Sequence, residues 1–235
     1  MSSERYSRET VIPAAGRWIS YLLKCIVIVS AGLGVFLSAR AGRRVFMGGN
    51  RVFMYFTIQS NIAVAIISAV CAVRMIRAGS MKRYEFIVQY VGAVAITLTG
   101  VVFCFVLAPV LGPRAWNLQN VLTHVVVPVA AVLDFFVTGI YADLKLRCVF
   151  FALLPPLAYA VYAGIGYAAG WEFSRGVNYP YFFLNWGSPA GAFGFTRGLP
   201  YMGCVWWILA ILLFLLIIGT LYLVFVGWLR RFVRK

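Results

Sequence analysis

Residues 53–61 read FMYFTIQSN and place four hydrogen-bonding side chains, Thr57, Gln59, Ser60 and Asn61, in five positions between two strongly apolar runs. The chain's single histidine, His124, stands in NLQNVLTHVVVPVAAVLDFF, ten residues before Asp134. A hydroxyl beside an imidazole is the pairing that acyl transfer uses. Threonine is a weak nucleophile until a base takes its proton, and imidazole is the base best matched to neutral pH. Asn61 follows Thr57 by one turn on the same helix face, so it is a candidate donor to an oxyanion. Asn185, in GVNYPYFFLNWGSP, is a second candidate donor, and Ser60 and Tyr179 are further candidates for holding a substrate. Metal chemistry finds no support. Cys25, Cys71, Cys104, Cys148 and Cys204 show no C-x-x-C or zinc-like spacing and read as small buried hydrophobes. No nucleotide-binding loop or haem pattern occurs either, so no cofactor is expected.

Whether these residues meet depends on the elements that carry them. Of 235 residues, 63% are apolar and 11% charged, far from the roughly 25% charge of a soluble domain. Six unbroken apolar stretches, near 18–39, 53–73, 86–110, 118–141, 148–170 and 204–228, are each long enough to cross about 30 Å of hydrocarbon. With no water in the bilayer core, such segments must satisfy their own backbones, which predicts helices rather than strands. The expected fold is all-α: a polytopic integral membrane protein forming a single six-helix transmembrane domain over residues 1–235. The first stretch is too long, and lacks the following small-residue site, for a cleaved signal peptide. No internal repeat of 20–50 residues appears. The longest connection, 171–203, is rich in Gly, Pro and aromatics.

A formal charge of +15 invites a nucleic-acid reading, but the cations are parcelled into the loops, as the positive-inside rule requires. Placing the N-terminus in the cytoplasm puts fourteen Lys and Arg on the inner side and seven on the outer. Both termini are therefore expected in the cytoplasm, with the protein in the cell (plasma or inner) membrane. Four of the seven outer cations crowd SARAGRRVFMGGNR. They are suited to lipid phosphates or a carboxylate-bearing substrate, or simply to interfacial snorkelling. In this orientation Thr57 lies roughly 6 Å, and His124 roughly 9 Å, below the same outer mouth at 1.5 Å per residue. The long connection returns to that side with Asn178, Tyr179, Tyr181 and Asn185.

Each residue also has a plain role. Thr57 or Ser60 can cap the second helix, and the Asn and Tyr residues can form an interfacial belt. His124 can be a neutral imidazole bonded to a neighbouring helix, with Pro128 freeing a carbonyl near the ring. Asp134 lies about 15 Å deeper than His124. Lys24, counted from the opposite face, reaches a comparable depth, so the two are expected to form a structural ion pair. Glu172 is expected to pair with Arg175 or with the first-loop arginines.

Three stretches in this order, YFTIQSN, HVVVPVAAVLD and NYPYFFLN, resemble the androgen-induced and androgen-dependent membrane protein family, and most of all a prokaryotic branch of it. Those proteins are threonine hydrolases of fatty acid esters of hydroxy fatty acids. The resemblance implies that Thr57 is the nucleophile and His124 its base, acting on a membrane lipid or fatty acyl ester. Asp134 stands where that family's pattern has glutamate. One other enzyme-level outcome shares the same residues: acyl transfer, with a lipid hydroxyl replacing water. Outside catalysis, a small transporter or a structural bundle remains open. Against transport stand the lack of an internal repeat and of paired Gly/Pro-broken helices.

Overall fold

The computed structural model describes residues 9–42 and 49–233. Six of its helices are long and apolar enough to cross a membrane: Ala14–Ala41, Phe56–Ala78, Arg83–Ala115, Leu118–Gly139, Leu146–Ala168 and Cys204–Val233, here spans one to six. The protein is a multi-pass six-helix bundle. Arg43 and Arg44 of the first loop lie outside the described residues, as do Arg5, Arg8, Arg234 and Lys235.

Local chemistry sets the span ends. Residues Gly49–Met54 wind into a 3₁₀ turn, so span two starts at Phe56, three residues after hydropathy begins. It stops at Gly79, whose positive φ of 63° suits a residue without Cβ, and whose N–H donates to the Met75 carbonyl. Span three opens with the Glu85 carboxylate folded back onto the Lys82 N–H. Ahead of span one, strand β1 (Glu9–Val11) pairs antiparallel with β2 (Ser80–Lys82) between spans two and three. Glu9 binds Arg74 and the Ser80 hydroxyl there, tying the chain start to the end of the bundle that carries the termini. All five cysteines are unpaired.

Span one packs on spans two and four, span three on two and four, and span six on five and three. Val27, Ala31, Val64, Ile96 and Val127 fill the first of these layers; Tyr90, Val94, Phe135, Leu215 and Leu223 fill the second. Exposed Leu, Val, Phe and Trp along spans one and six form the surface that hydrocarbon covers.

In the half nearer the termini, the packed spans enclose a polar knot. Lys24 and Asp134, 1% and 2% exposed, form an ion pair between spans one and four, where their matched depths put them. The Ser20 hydroxyl donates to Asp134 Oδ1 and accepts from Lys24 Nζ at 3.0 Å. From span three, Gln89 Nε2 donates to Asp134 Oδ2 at 2.7 Å, and Gln89 Oε1 accepts from Thr138 at 3.0 Å. Every member is hydrogen-bonded, which makes this knot a clamp on spans one, three and four rather than an open site. Removing one partner strands a charge in a dry interior. Lys24→Met or Asp134→Ala should therefore cost about 3–5 kcal/mol, whereas Lys24→Met with Asp134→Leu should recover much of that loss. Unfolding midpoints in detergent test this; a double variant no more stable than either single one would contradict it.

Candidate active site

At the opposite end of the bundle, residue 57 occupies the first turn of span two. The backbone entering it is extended at Tyr55, and no side chain of the span caps it. The expected cap by Thr57 or Ser60 does not form, because Ser60 Oγ turns back to the Thr57 carbonyl at 3.0 Å. The cap comes from elsewhere in the chain. Tyr181, on the 171–203 connection, places its phenol oxygen over the Phe56 and Thr57 N–H groups, the Thr57 N–H donating at 3.4 Å. These are two of the four amides that a helix start leaves without partners. The Tyr181 ring is fixed by stacking on Phe183, with centroids 5.0 Å apart, and by edge contacts with Tyr55.

Beside Thr57 opens a narrow, partly open cavity between spans two, three, five and six. Phe56 and Thr57 of span two line it, with Leu98, Thr99, Val102 and Leu107 of span three and Pro156, Tyr159 and Ala160 of span five. Ile208, Ile211 and Leu212 of span six face it, and Tyr181, Phe183 and Leu184 roof it from the connection. Eleven of these fifteen residues are apolar. The four hydroxyl-bearing residues of the wall are Thr57, Thr99, Tyr159 and Tyr181, and the surface that the cavity presents is almost wholly apolar.

His124 does not line this cavity, and among the described residues it makes no hydrogen bond to Thr57. Its ring stacks on Phe103 at 3.9 Å between centroids, and its Nδ1 lies 3.0 Å from both the Asn120 carbonyl and Thr123 Oγ1. A carbonyl only accepts, and the Thr123 proton goes to the Gln119 carbonyl at 2.8 Å. Nδ1 therefore carries the imidazole proton and Nε2 carries the lone pair, the arrangement a base needs. Two π-helical turns hold this stack: Phe103–Leu107 in span three and Leu122–Val126 in span four. Each stands just ahead of a proline, Pro109 and Pro128, whose missing N–H breaks the ladder. The carbonyl that Pro128 leaves free is that of His124 itself. It rests on Gly100, where an added Cβ would lie only 2.9 Å from it.

Asn61 is what joins the two segments. Its Nδ2 donates to the Thr57 carbonyl at 2.8 Å and to the Thr123 carbonyl at 3.0 Å, pinning span two against the residue before His124. Both amide protons are thereby committed, which corrects the expectation that Asn61 donates to an oxyanion. Asn185 does not line the cavity, which removes it from that role; its Oδ1 accepts the Gly187 N–H in a local turn. Tyr179 and Ser60 do not line it either. Ser60 instead bonds Thr99 at 2.8 Å, holding spans two and three together. Glu172 pairs with Arg51 of the first loop at 2.7 Å, one of its two expected kinds of partner.

Sequence reasoning passed over Tyr159, Thr99 and the π turn at Phe103. Pro109, five residues after Cys104, was the available signal for the last of these. Because Asn61 bridges two buried carbonyls, Asn61→Ala should lower stability by about 1–3 kcal/mol, read as a lower unfolding midpoint in detergent. An unchanged midpoint would show the bridge to be dispensable.

No protein-family model, curated protein or solved structure matches this chain.

Proposed function

We propose that the protein is an integral membrane lipid esterase in which Thr57 is the nucleophile toward a fatty acyl ester. The observation that carries this reading is the position of Thr57 on the wall of an almost wholly apolar cavity. An apolar wall of this kind suits an acyl chain, whose ester group then lies against Thr57. The resemblance of YFTIQSN and HVVVPVAAVLD to threonine hydrolases of fatty acid esters supports the same assignment.

In this reading the cavity opens to the outer leaflet of the cell membrane, with both termini in the cytoplasm, and the substrate enters sideways from the lipid. Thr57 Oγ1 bonds to the ester carbonyl carbon while His124 Nε2 takes its proton. The carbonyl π electrons move to oxygen, and on collapse the ester C–O bond breaks and the leaving alcohol takes the proton from His124. Water then attacks the acyl-threonine by the same steps and releases the fatty acid. The Asn61 bridge and the unprotonated Nε2 support His124 as the base. Contacts between catalytic groups are commonly long before substrate binds. A lipid hydroxyl in place of water makes the same site an acyltransferase.

A second reading, an acyl-lipid binding protein without chemistry, is favoured by one observation: His124 Nδ1 and its ring are engaged with span four and Phe103 rather than with Thr57. The two readings separate in one experiment. Purified protein is incubated with a long-chain ester and, separately, with a fluorophosphonate probe, beside Thr57→Ala and His124→Ala. The esterase reading expects Thr57→Ala to lose labelling and turnover, and His124→Ala to lose about 10²–10⁴-fold in rate. Equal labelling of all three folded proteins, with the ester bound but intact, would leave only the binding reading.

A further inference from the structure

An acyl-transfer site needs a donor for the developing oxyanion, and both asparagines expected to serve are unsuited to it. Tracing each proton on the cavity wall identifies another group. Thr99 and Ser60 share one arrangement that satisfies both their contacts: Ser60 gives its proton to the Thr57 carbonyl, which can only accept, and Thr99 gives its proton to Ser60. Tyr159 gives its proton to the Met54 carbonyl at 3.0 Å. Tyr181 differs. Its oxygen accepts from the start of span two, and the side chains it meets are the Thr57 and Tyr159 hydroxyls rather than a carbonyl, so its proton can turn to a bound ester.

We propose that Tyr181 is the oxyanion donor of the Thr57 site, its phenol O–H giving a hydrogen bond to the ester carbonyl oxygen as Thr57 attacks. The inference rests on the esterase reading. Accepting amide protons polarises the phenol and strengthens it as a donor. Its contacts with the Thr57 N–H and side chain place Oη beside the attacking hydroxyl, within reach of an ester held there. Burial pushes the Tyr181 phenol above its ordinary ionisation range, which keeps the proton in place at neutral pH. The phenol neither gains nor loses a proton in the step; it stabilises negative charge that the departing π electrons place on oxygen. Its place on the long connection, rather than on a span, also lets the donor arrive as part of the cavity's roof.

The test compares full-length protein in detergent or nanodiscs, acting on a long-chain p-nitrophenyl ester, with Tyr181→Phe and with a fluorinated tyrosine at position 181. Tyr181→Phe keeps the ring stack on Phe183 and removes the proton. It should lower kcat by about 10²–10³-fold with KM little changed. The fluorinated phenol ionises at lower pH and then has no proton to give, so its kcat should fall on the alkaline side at a pH where the wild type is still flat. Tyrosine that merely caps span two would behave in the opposite way, since a phenolate accepts N–H bonds at least as well. Full kcat in Tyr181→Phe, or a flat alkaline profile for the fluorinated protein, overturns the proposal while leaving Thr57 in place. Where Tyr181→Phe fails to fold, the fluorinated protein decides alone. Wild-type turnover that is absent, or that survives Thr57→Ala, overturns the esterase reading and this inference together.

Discussion

No water reaches the hydrocarbon core, and every polar group on a span must therefore find its partner within the protein. That constraint organises this molecule more than any individual apolar contact does. In the half nearer the termini it produces a closed knot, in which Asp134 draws donors from Ser20, Lys24 and Gln89 on two other spans. In the other half it produces an open arrangement. Ser60 bonds the Thr99 hydroxyl of span three and Asn61 bonds the Thr123 carbonyl of span four, which holds spans two, three and four together. Thr57 and Tyr181 are left facing a cavity. The functional reading follows from that contrast, because chemistry requires groups whose hydrogen-bonding capacity the fold has not already used.

The irregular backbone lies in the same half. Proline in a span costs a ladder bond, and a π turn costs regularity; spans three and four carry both, side by side, with Phe103 and His124 stacked between them. Local distortions of this kind are common at sites where a side chain must be aimed. Here they turn the His124 ring onto its own helix through Nδ1 and leave Nε2 as the acceptor. The free carbonyl of His124 needs the bare backbone of Gly100 to approach so closely. The histidine's direction is thus a product of Pro128, Gly100 and Asn120 acting together.

Much of this architecture is legible in the sequence. Six spans follow from the length and apolarity of the runs, and the Lys24–Asp134 pair follows from counting 1.5 Å per residue inward from opposite faces. Side-chain direction is less legible. Asn61 falls on the Thr57 face of its helix, as i and i+4 residues must. The same spacing, however, lets its amide reach the Thr57 carbonyl and lose its donors. In NYPYFFLN, Tyr179 and Tyr181 read alike, because which of them turns inward depends on how the connection folds back over spans two and five. Gln89 and Ser20 stand singly within apolar runs; only the packing of three spans brings them to one carboxylate, with Thr138 bonded to Gln89 behind them.

The central claim is that an acyl group is transferred onto the hydroxyl of residue 57 inside this cavity. The most direct measurement is acid quenching of purified protein during turnover of a long-chain ester, followed by mass spectrometry of its peptides. An acyl mass on the peptide containing Thr57, disappearing as substrate is exhausted, is the predicted result. Turnover accompanied by an acyl group on a different residue, or no covalent adduct at any time, would contradict it.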